Sequence, residues 1–148
     1  AVSKMFDELV ERVAYARPSA KIDGVLVSEQ VEGGTETIAG IINDPILGPF
    51  VMFGLGGIYA EVLKDVSFRP APFGKDVALE MIDELRSAPI LKGARGRPPA
   101  DLEKLAEALV ALSRVAAANR EWLDSIDINP LIVRSNGVAA VDALVVAK

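Results

Sequence analysis

The 148-residue chain is 51% apolar and 25% charged, the balance of a globular domain rather than a disordered one. Its net charge of −5 argues against general nucleic-acid binding, which needs clustered Lys and Arg. No apolar run approaches the ~20 residues of a membrane-spanning helix. The absence of Cys and His excludes disulfides, thiolate catalysis, zinc–sulfur sites and His-based triads. What remains is Asp, Glu, Asn, Lys, Arg and Gly, the residues of Mg²⁺ and phosphate chemistry.

Residues 2–16 carry Val2, Met5, Phe6, Leu9, Val10 and Val13 at helical spacing, and Pro18 ends the helix. "GVLVSEQV" (24–31) reads as a strand, rich in β-branched residues and free of Pro. "EGG" is a tight connection to a second strand, "TETIAGIIND", which Asn43, Asp44 and Pro45 stop. "FVMF" is a short third strand followed by "GLGG", and "DVSFRPAP" is extended, its two prolines suiting a sheet edge. Residues 75–86 form an amphipathic helix with Val77, Met81, Ile82 and Leu85 on one side. A Gly/Pro-rich connection leads to Asp101, a candidate cap for a helix over 101–118 whose stripe is Leu102, Leu105, Leu109, Leu112 and Val115. Two apolar strands around Ser135, Asn136 and Gly137 complete the chain. Strands and helices without regular βα alternation predict an α+β fold, a mixed or antiparallel sheet packed against helices.

The last hairpin carries three oxygen-bearing side chains, Asp127, Asn129 and Asp142, in otherwise apolar strands. Asn136-Gly137 predicts a two-residue type I′ turn with Ser135 opposite Val138. That register sets Leu131 opposite Asp142 and Asn129 opposite Leu144. All three polar side chains then share a face, with Asn129 and Asp142 as diagonal neighbours within reach of one ion. The other face would hold Ile126, Ile128, Ile132, Val141, Ala143 and Val145. Pro130 lacks an N–H and can distort this ladder. A bare carboxylate is costly to bury, and a divalent cation would remove the cost. The competing reading is that Asp142 accepts backbone N–H bonds and Asn129 caps a turn.

Gly54, Gly56 and Gly57 follow a strand, where backbone N–H groups can approach an anion. The stretch is neither a P-loop nor a dinucleotide fingerprint, and from pattern alone a plain turn between strands is the favoured reading. Glu29 and Glu36 flank "QVEGGT" and could take hydrogen bonds from a ligand's amino group and hydroxyls, or simply face water. Arg69 alternates with Val66 and Phe68; an Arg on the polar side of a strand suits phosphate but is also an ordinary surface residue.

Together "GVLVSEQVEGGTETIAGIINDPILGPFVMFGLGGIYAEVLKDVSFRPAP", "LKGARGRPPAD" and "DINPLIV…GVAAVDA" closely resemble the ATP-grasp region of NDP-forming acyl-CoA synthetases, from about Asp23 onward. These include ADP-forming acetyl-CoA synthetase and the large proteins of the protein-acetyltransferase type. The final hairpin is also similar to that of the succinyl-CoA synthetase β subunit. The resemblance implies that Asn129 and Asp142 hold Mg²⁺ on the phosphates of ATP or ADP. It implies Glu29 beside the adenine amino group, the backbone of Gln30 and Val31 against the ring, and Glu36 on the ribose. Gly56 and Gly57 would lie near the phosphates, Arg69 would be a catalytic phosphate-side Arg, and Glu61 is a further candidate.

The implied function is a Mg²⁺- and nucleotide-binding lobe of a cytoplasmic acid–thiol ligase. Its reaction is acyl-CoA + ADP + phosphate ⇌ acid + CoA + ATP, through an acyl phosphate and a phosphohistidine. Residues 1–22 read as a helix and linker left from the N-terminal ATP-grasp lobe, and 23–148 as the C-terminal lobe. Most of the N-terminal lobe, the phosphohistidine and the CoA-binding domain do not match any part of the chain. The chain is therefore expected to be part of a larger protein, partnered by a CoA-binding, phosphohistidine-bearing domain or subunit and without turnover alone. Neither a nucleic-acid nor a membrane partner is expected. Two alternatives stay open: a regulatory ATP-grasp-like domain of a protein acetyltransferase that senses acyl-CoA or nucleotide, and a non-catalytic assembly domain.

Overall fold

Residues 35–55 fold back on themselves as one antiparallel ladder, which pairs Thr37 with Leu55 and Asp44 with Gly48. The computed structural model describes residues 2–57, 64–96 and 98–148, in two units, Ala1–Gln30 and Val31–Lys148. The first unit contains α1 (Val2–Ala16), amphipathic as its spacing predicts, with none of its residues buried. Arg17 and Ala20 close the turn after it by donating N–H bonds to Val13 and Arg17. The strand expected over 24–31 does not form among the described residues: the segment joins no ladder, and Leu26 is 91% exposed. β propensity describes fit to a pleated surface, and without a neighbouring strand to share N–H and C=O groups it makes no strand.

The second unit is a six-stranded antiparallel sheet. Its strands are β1 (Thr35–Asp44), β2 (Gly48–Leu55), β3 (Val66–Pro70), β4 (Leu123–Arg134), β5 (Gly137–Ala140) and β6 (Ala143–Ala147). The spatial order is β3-β2-β1-β4-β5, with β6 also paired to β4. β2 is longer than the expected "FVMF", because pairing with β1 runs to Asp44↔Gly48 at the turn. The Asp44 carboxylate stabilises that turn by accepting the N–H groups of Ile46 and Leu47, both at 2.8 Å. β3 is an edge strand, consistent with its prolines.

Helices α2 (Lys75–Asp83), α3 (Ala88–Leu91) and α4 (Leu102–Ala118) pack on one face of the sheet. α2 is three residues shorter than the expected 75–86, ending where Glu84 donates its N–H to Glu80. Asp101 caps α4 as its side chain accepts the Lys104 N–H. The core joins Ala39, Ile41, Val51 and Phe53 of the sheet to Met81, Ile82, Leu105 and Leu109 of the helices. Burial of each such large side chain contributes about 1.5–3 kcal/mol. Thr37, Ala39 and Ile41 point into this core. Glu36, Ile38, Gly40 and Ile42 therefore project from the opposite face. That face is partly open, with Ile42 50%, Phe68 44% and Leu144 64% exposed.

The final hairpin corrects the expected register: the turn lies one residue earlier, and each partner on the returning strand moves by two. Arg134 pairs with Gly137 and Leu131 with Ala140, so Ser135 and Asn136 form the tip. Asn136 does not take the positive φ that a type I′ turn requires, whereas Gly137 does, at 139°. The expected core face is also revised. Ile126 and Ile128 reach the core, but Leu131 and Val133 follow them there, and Ile132 does not join that cluster. The alternation switches at Asn129–Pro130, where the β1–β4 register shifts. Val141 and Val145, both expected inside, are each 53% exposed at the rim of the sheet.

Candidate functional site

The corrected register brings Asn129 and Asp142 closer than the expected diagonal. β6 pairs Ile128 with Ala143 and Asp127 with Leu144, so the next step sets Asn129 directly opposite Asp142. The Asn129 N–H donates to the Asp142 carbonyl at 3.2 Å, and the Val141 N–H to the Pro130 carbonyl at 3.0 Å. Directly opposed residues in such a ladder lie about 4.5–5.5 Å apart, close enough for both side chains to reach one cation. Both are exposed, so the expected burial cost at Asp142 is absent: β6 lies at the rim, and water reaches the carboxylate. Asp142 Oδ1 accepts its neighbour Ala143's N–H at 2.8 Å. Among the described residues, neither Asp142 nor Asp127 forms an ion pair.

Asp127 occupies the same outer face, beside Gly40 on one side and Leu144 on the other. Its period-two spacing from Asn129 is the signal in the sequence that places it on this face. The local donor set is therefore two carboxylates and an amide, all oxygen, which suits a hard cation such as Mg²⁺ and not a soft transition metal. No cluster of three or more Asp or Glu is present among the described residues. A cation on Asn129 and Asp142 would take its remaining ligands from phosphate oxygens and water, as Mg²⁺ commonly does. A cavity of about 690 Å³ lies elsewhere, at the hairpin tip by Gly34, Thr35, Pro98, Arg134 and Asn136.

Glu36 stands on the outer face of β1, opposite Ile132 of β4. Gly56 joins it from the end of β2: its N–H donates to the Glu36 carbonyl at 2.9 Å. A Cβ at Gly56 would lie 3.2 Å from the Glu36 carbonyl carbon and oxygen, so the close approach depends on the absence of a side chain. Gly57 follows with φ 63°. Glu36 and Gly56 thus adjoin at one end of β1, and Asn129 lies farther along β4, across the slip from Ile38, with Asp142 on its other side.

The structure does not bring Arg69 to this group. Arg69 lies opposite Val51, a core residue, and so faces the helices. Its guanidinium pairs with Glu84 at 2.7 Å just beyond α2. The alternation of β3 puts Phe68, not Arg69, on the outer face. Glu29 and Gln30 end the first unit, exposed and outside any ladder, while Val31 is half-buried at the start of the second. Glu61 lies outside the described residues.

Asp65 anchors the chain where it enters β3. It accepts the N–H groups of Arg86 and Ser87 at 3.0 and 2.8 Å, and the Ser87 hydroxyl. Desolvation pushes its pKa up, but these donors and the Arg86 charge outweigh it and hold the carboxyl below its ordinary value.

Residues 1–147 match the family model described as the ATP-grasp domain. The chain is 45% identical over 138 residues to the β subunit of acetate–CoA ligase (ADP-forming) I of Pyrococcus furiosus, covering 93% of this chain and 59% of that one. A structure of acetyl-coenzyme A synthetase 1 from Ca. Korarchaeum cryptofilum, with coenzyme A, acetyl-coenzyme A and a phosphorylated phosphohistidine segment, superposes with a TM-score of 0.88. Identity there is 40%, over 99% of this chain and 65% of that one. A second structure of that protein, holding coenzyme A and Mg-AMPPCP, gives a TM-score of 0.76 at 40% identity over 80% of this chain and 55% of that one. The chain spans 63% of the length of one curated relative it matches and 16% of another. With its sequence matched from end to end and its fold shared with these structures, the chain belongs to the ATP-grasp domain family.

Proposed function

We propose that this chain supplies the Mg²⁺- and nucleotide-binding lobe of a cytoplasmic NDP-forming acyl-CoA synthetase. The observation that carries the reading is the direct opposition of Asn129 and Asp142 on the outer face of the sheet, with Glu36 and Gly56 farther along it. The reaction is acyl-CoA + ADP + phosphate ⇌ acid + CoA + ATP. Because the chain has no His, the phosphohistidine that carries the phosphoryl group comes from a CoA-binding partner domain or subunit. The relatives support this, since one solved neighbour carries a phosphohistidine segment and another Mg-AMPPCP.

In this reading Asn129 and Asp142 hold Mg²⁺, with Asp127 adding negative charge beside them. Bound there, Mg²⁺ would neutralise charge on the nucleotide phosphates during phosphoryl transfer. Glu36 receives the ribose hydroxyls, and the backbone at Gly56 and Gly57 lies alongside the phosphates. Glu29 and the backbone of Gln30 and Val31 take the adenine edge, and Glu61 is a further candidate for the nucleotide's surroundings. Arg69 leaves the phosphate role, because its guanidinium is engaged by Glu84 on the helix side. The lobe's contribution is positioning and charge neutralisation rather than covalent chemistry.

The test is calorimetric titration of the full-length protein with ADP and Mg²⁺, comparing wild type with Asp142→Ala and Asn129→Ala. Losing either ligand is expected to weaken Mg²⁺-dependent binding at least about tenfold. Binding unchanged in both folded variants would refute the assignment.

A further inference from the structure

The pairing of β1 with β4 slips beside Asn129. Thr37 lies opposite Leu131 and Ala39 opposite Ile128, so Ile38 alone spans the two residues Asn129 and Pro130. Ile128 and Leu131 both pack against the core, which turns the residues between them outward. Pro130 has no N–H to offer the ladder. Such a bulge, one residue against two, re-aims the local side chains, and its buried carbonyls still require donors.

One donor is the Thr37 hydroxyl, which bonds to the Leu131 carbonyl at 2.6 Å. Thr37 is completely buried among Ala39, Ile41 and Leu131, where Val would match its shape. What Val lacks is the hydroxyl, and the carbonyl that hydroxyl meets belongs to the first residue after the slip. We propose that Thr37 is a positioning residue for the metal pair: its bond to Leu131 holds the bulge in which Asn129 turns outward beside Asp142. The proposal rests on the assignment of those two residues as Mg²⁺ ligands. Mg²⁺ demands near-ideal geometry at about 2.0–2.1 Å, so a small shift of Asn129 is costly to metal binding.

The experiment is ADP calorimetry on the full-length protein across a Mg²⁺ series, with urea unfolding of each variant alongside. Thr37→Val is expected to raise the Mg²⁺ concentration for half-maximal binding about tenfold, the scale typical of groups that orient metal ligands. Thr37→Ser, which keeps the donor, is expected to stay within about twofold of wild type, well inside that scale. The control is Ser67→Ala, which removes another buried hydroxyl bond, to the Met81 carbonyl at 3.0 Å, on β3. It is expected to lower stability while leaving the Mg²⁺ requirement in place. Should Thr37→Val not fold, Thr37→Ala removes the hydroxyl without added bulk and carries the same expectation.

An unchanged Mg²⁺ requirement in the folded Thr37 variant would overturn the proposal. An equal rise in Ser67→Ala would also overturn it, by reducing the effect to general destabilisation. Asn129→Ala and Asp142→Ala separate the two levels. If they abolish the Mg²⁺ dependence while Thr37→Val does not, only the positioning role fails. If they leave it intact, the metal assignment itself fails.

Discussion

Gly56→Ala offers a sharp test of how β2 meets Glu36. Gly56 does not have a positive φ, so alanine carries no intrinsic backbone penalty there. The obstacle is contact: the new Cβ would stand 3.2 Å from the Glu36 carbonyl carbon and oxygen and 3.4 Å from its Cβ. Two of these contacts are backbone atoms in a paired strand, so relief requires β1 and the end of β2 to separate by a few tenths of an ångström. That also stretches the Gly56 N–H bond to the Glu36 carbonyl, now 2.9 Å. Weakening one such bond costs about 0.5–1.5 kcal/mol, and modest overpacking about 1 kcal/mol or more. A total near 2 kcal/mol is expected, read as a lower urea midpoint at unchanged m-value. Gly57→Ala is the companion: its Cβ meets nothing within 4 Å, but φ 63° costs a side chain about 1 kcal/mol. Gly56→Ala should therefore be the more damaging of the two and should also weaken ADP binding through Glu36. If Gly57→Ala proves worse for stability, or Gly56→Ala leaves stability and ADP affinity at wild-type values, the close approach of Gly56 to Glu36 is refuted.

Arg69→Ala is expected to change ADP affinity by less than about twofold and stability by no more than about 1 kcal/mol, as for an exposed ion pair. A large loss of binding on calorimetry would return Arg69 to the phosphate site. Asp101→Ala should destabilise by about 1 kcal/mol in urea unfolding, since it removes the side-chain acceptor for the Lys104 N–H at the start of α4. For Asp65→Asn the pH dependence is the signature. The folded state holds the Asp65 carboxyl below its ordinary 3.8, so its stabilisation is full above that value and is lost as pH falls through the lower folded-state value. The stability gap between wild type and Asp65→Asn should therefore narrow as pH drops below 3.8, and a gap that widens there would contradict the contact set.

Much of the fold is local enough to be legible. The helix over 102–118 and its Asp101 cap follow from side-chain periodicity and a short-range hydrogen bond; of the expected stripe Leu105 and Leu109 are buried, Leu102 and Leu112 are half-buried, and Val115 is 42% exposed, because the buried face runs through Ala106, Ser113 and Ala116 instead. The stretch 24–31 was misleading for the opposite reason: a strand is a property of a pair, and its β-branched residues cannot supply the partner. The hairpin lies between these cases. Its two strands and its turn region are written in the residues, but Asn136-Gly137 is compatible with more than one turn geometry, and displacing the turn by one residue moves every cross-strand partner by two.

By itself the sequence determined the chemistry open to this protein: without Cys or His, its reactive inventory is carboxylates, amides, cations and glycine backbone. It also determined which residues carry the family pattern, Asn129 and Asp142 foremost. Tertiary structure decided which of them meet. Asn129 and Asp142 face each other because β4 keeps one register against β5 and β6, while on its other side the pairing with β1 slips at Asn129–Pro130 and the Thr37 hydroxyl bonds to Leu131. Arg69 turns away only because β3 docks on β2 with that side chain toward the helices. Residue type is a one-dimensional fact, whereas proximity across a sheet is fixed by strand pairing and core packing, which are summed over contacts far apart in the chain.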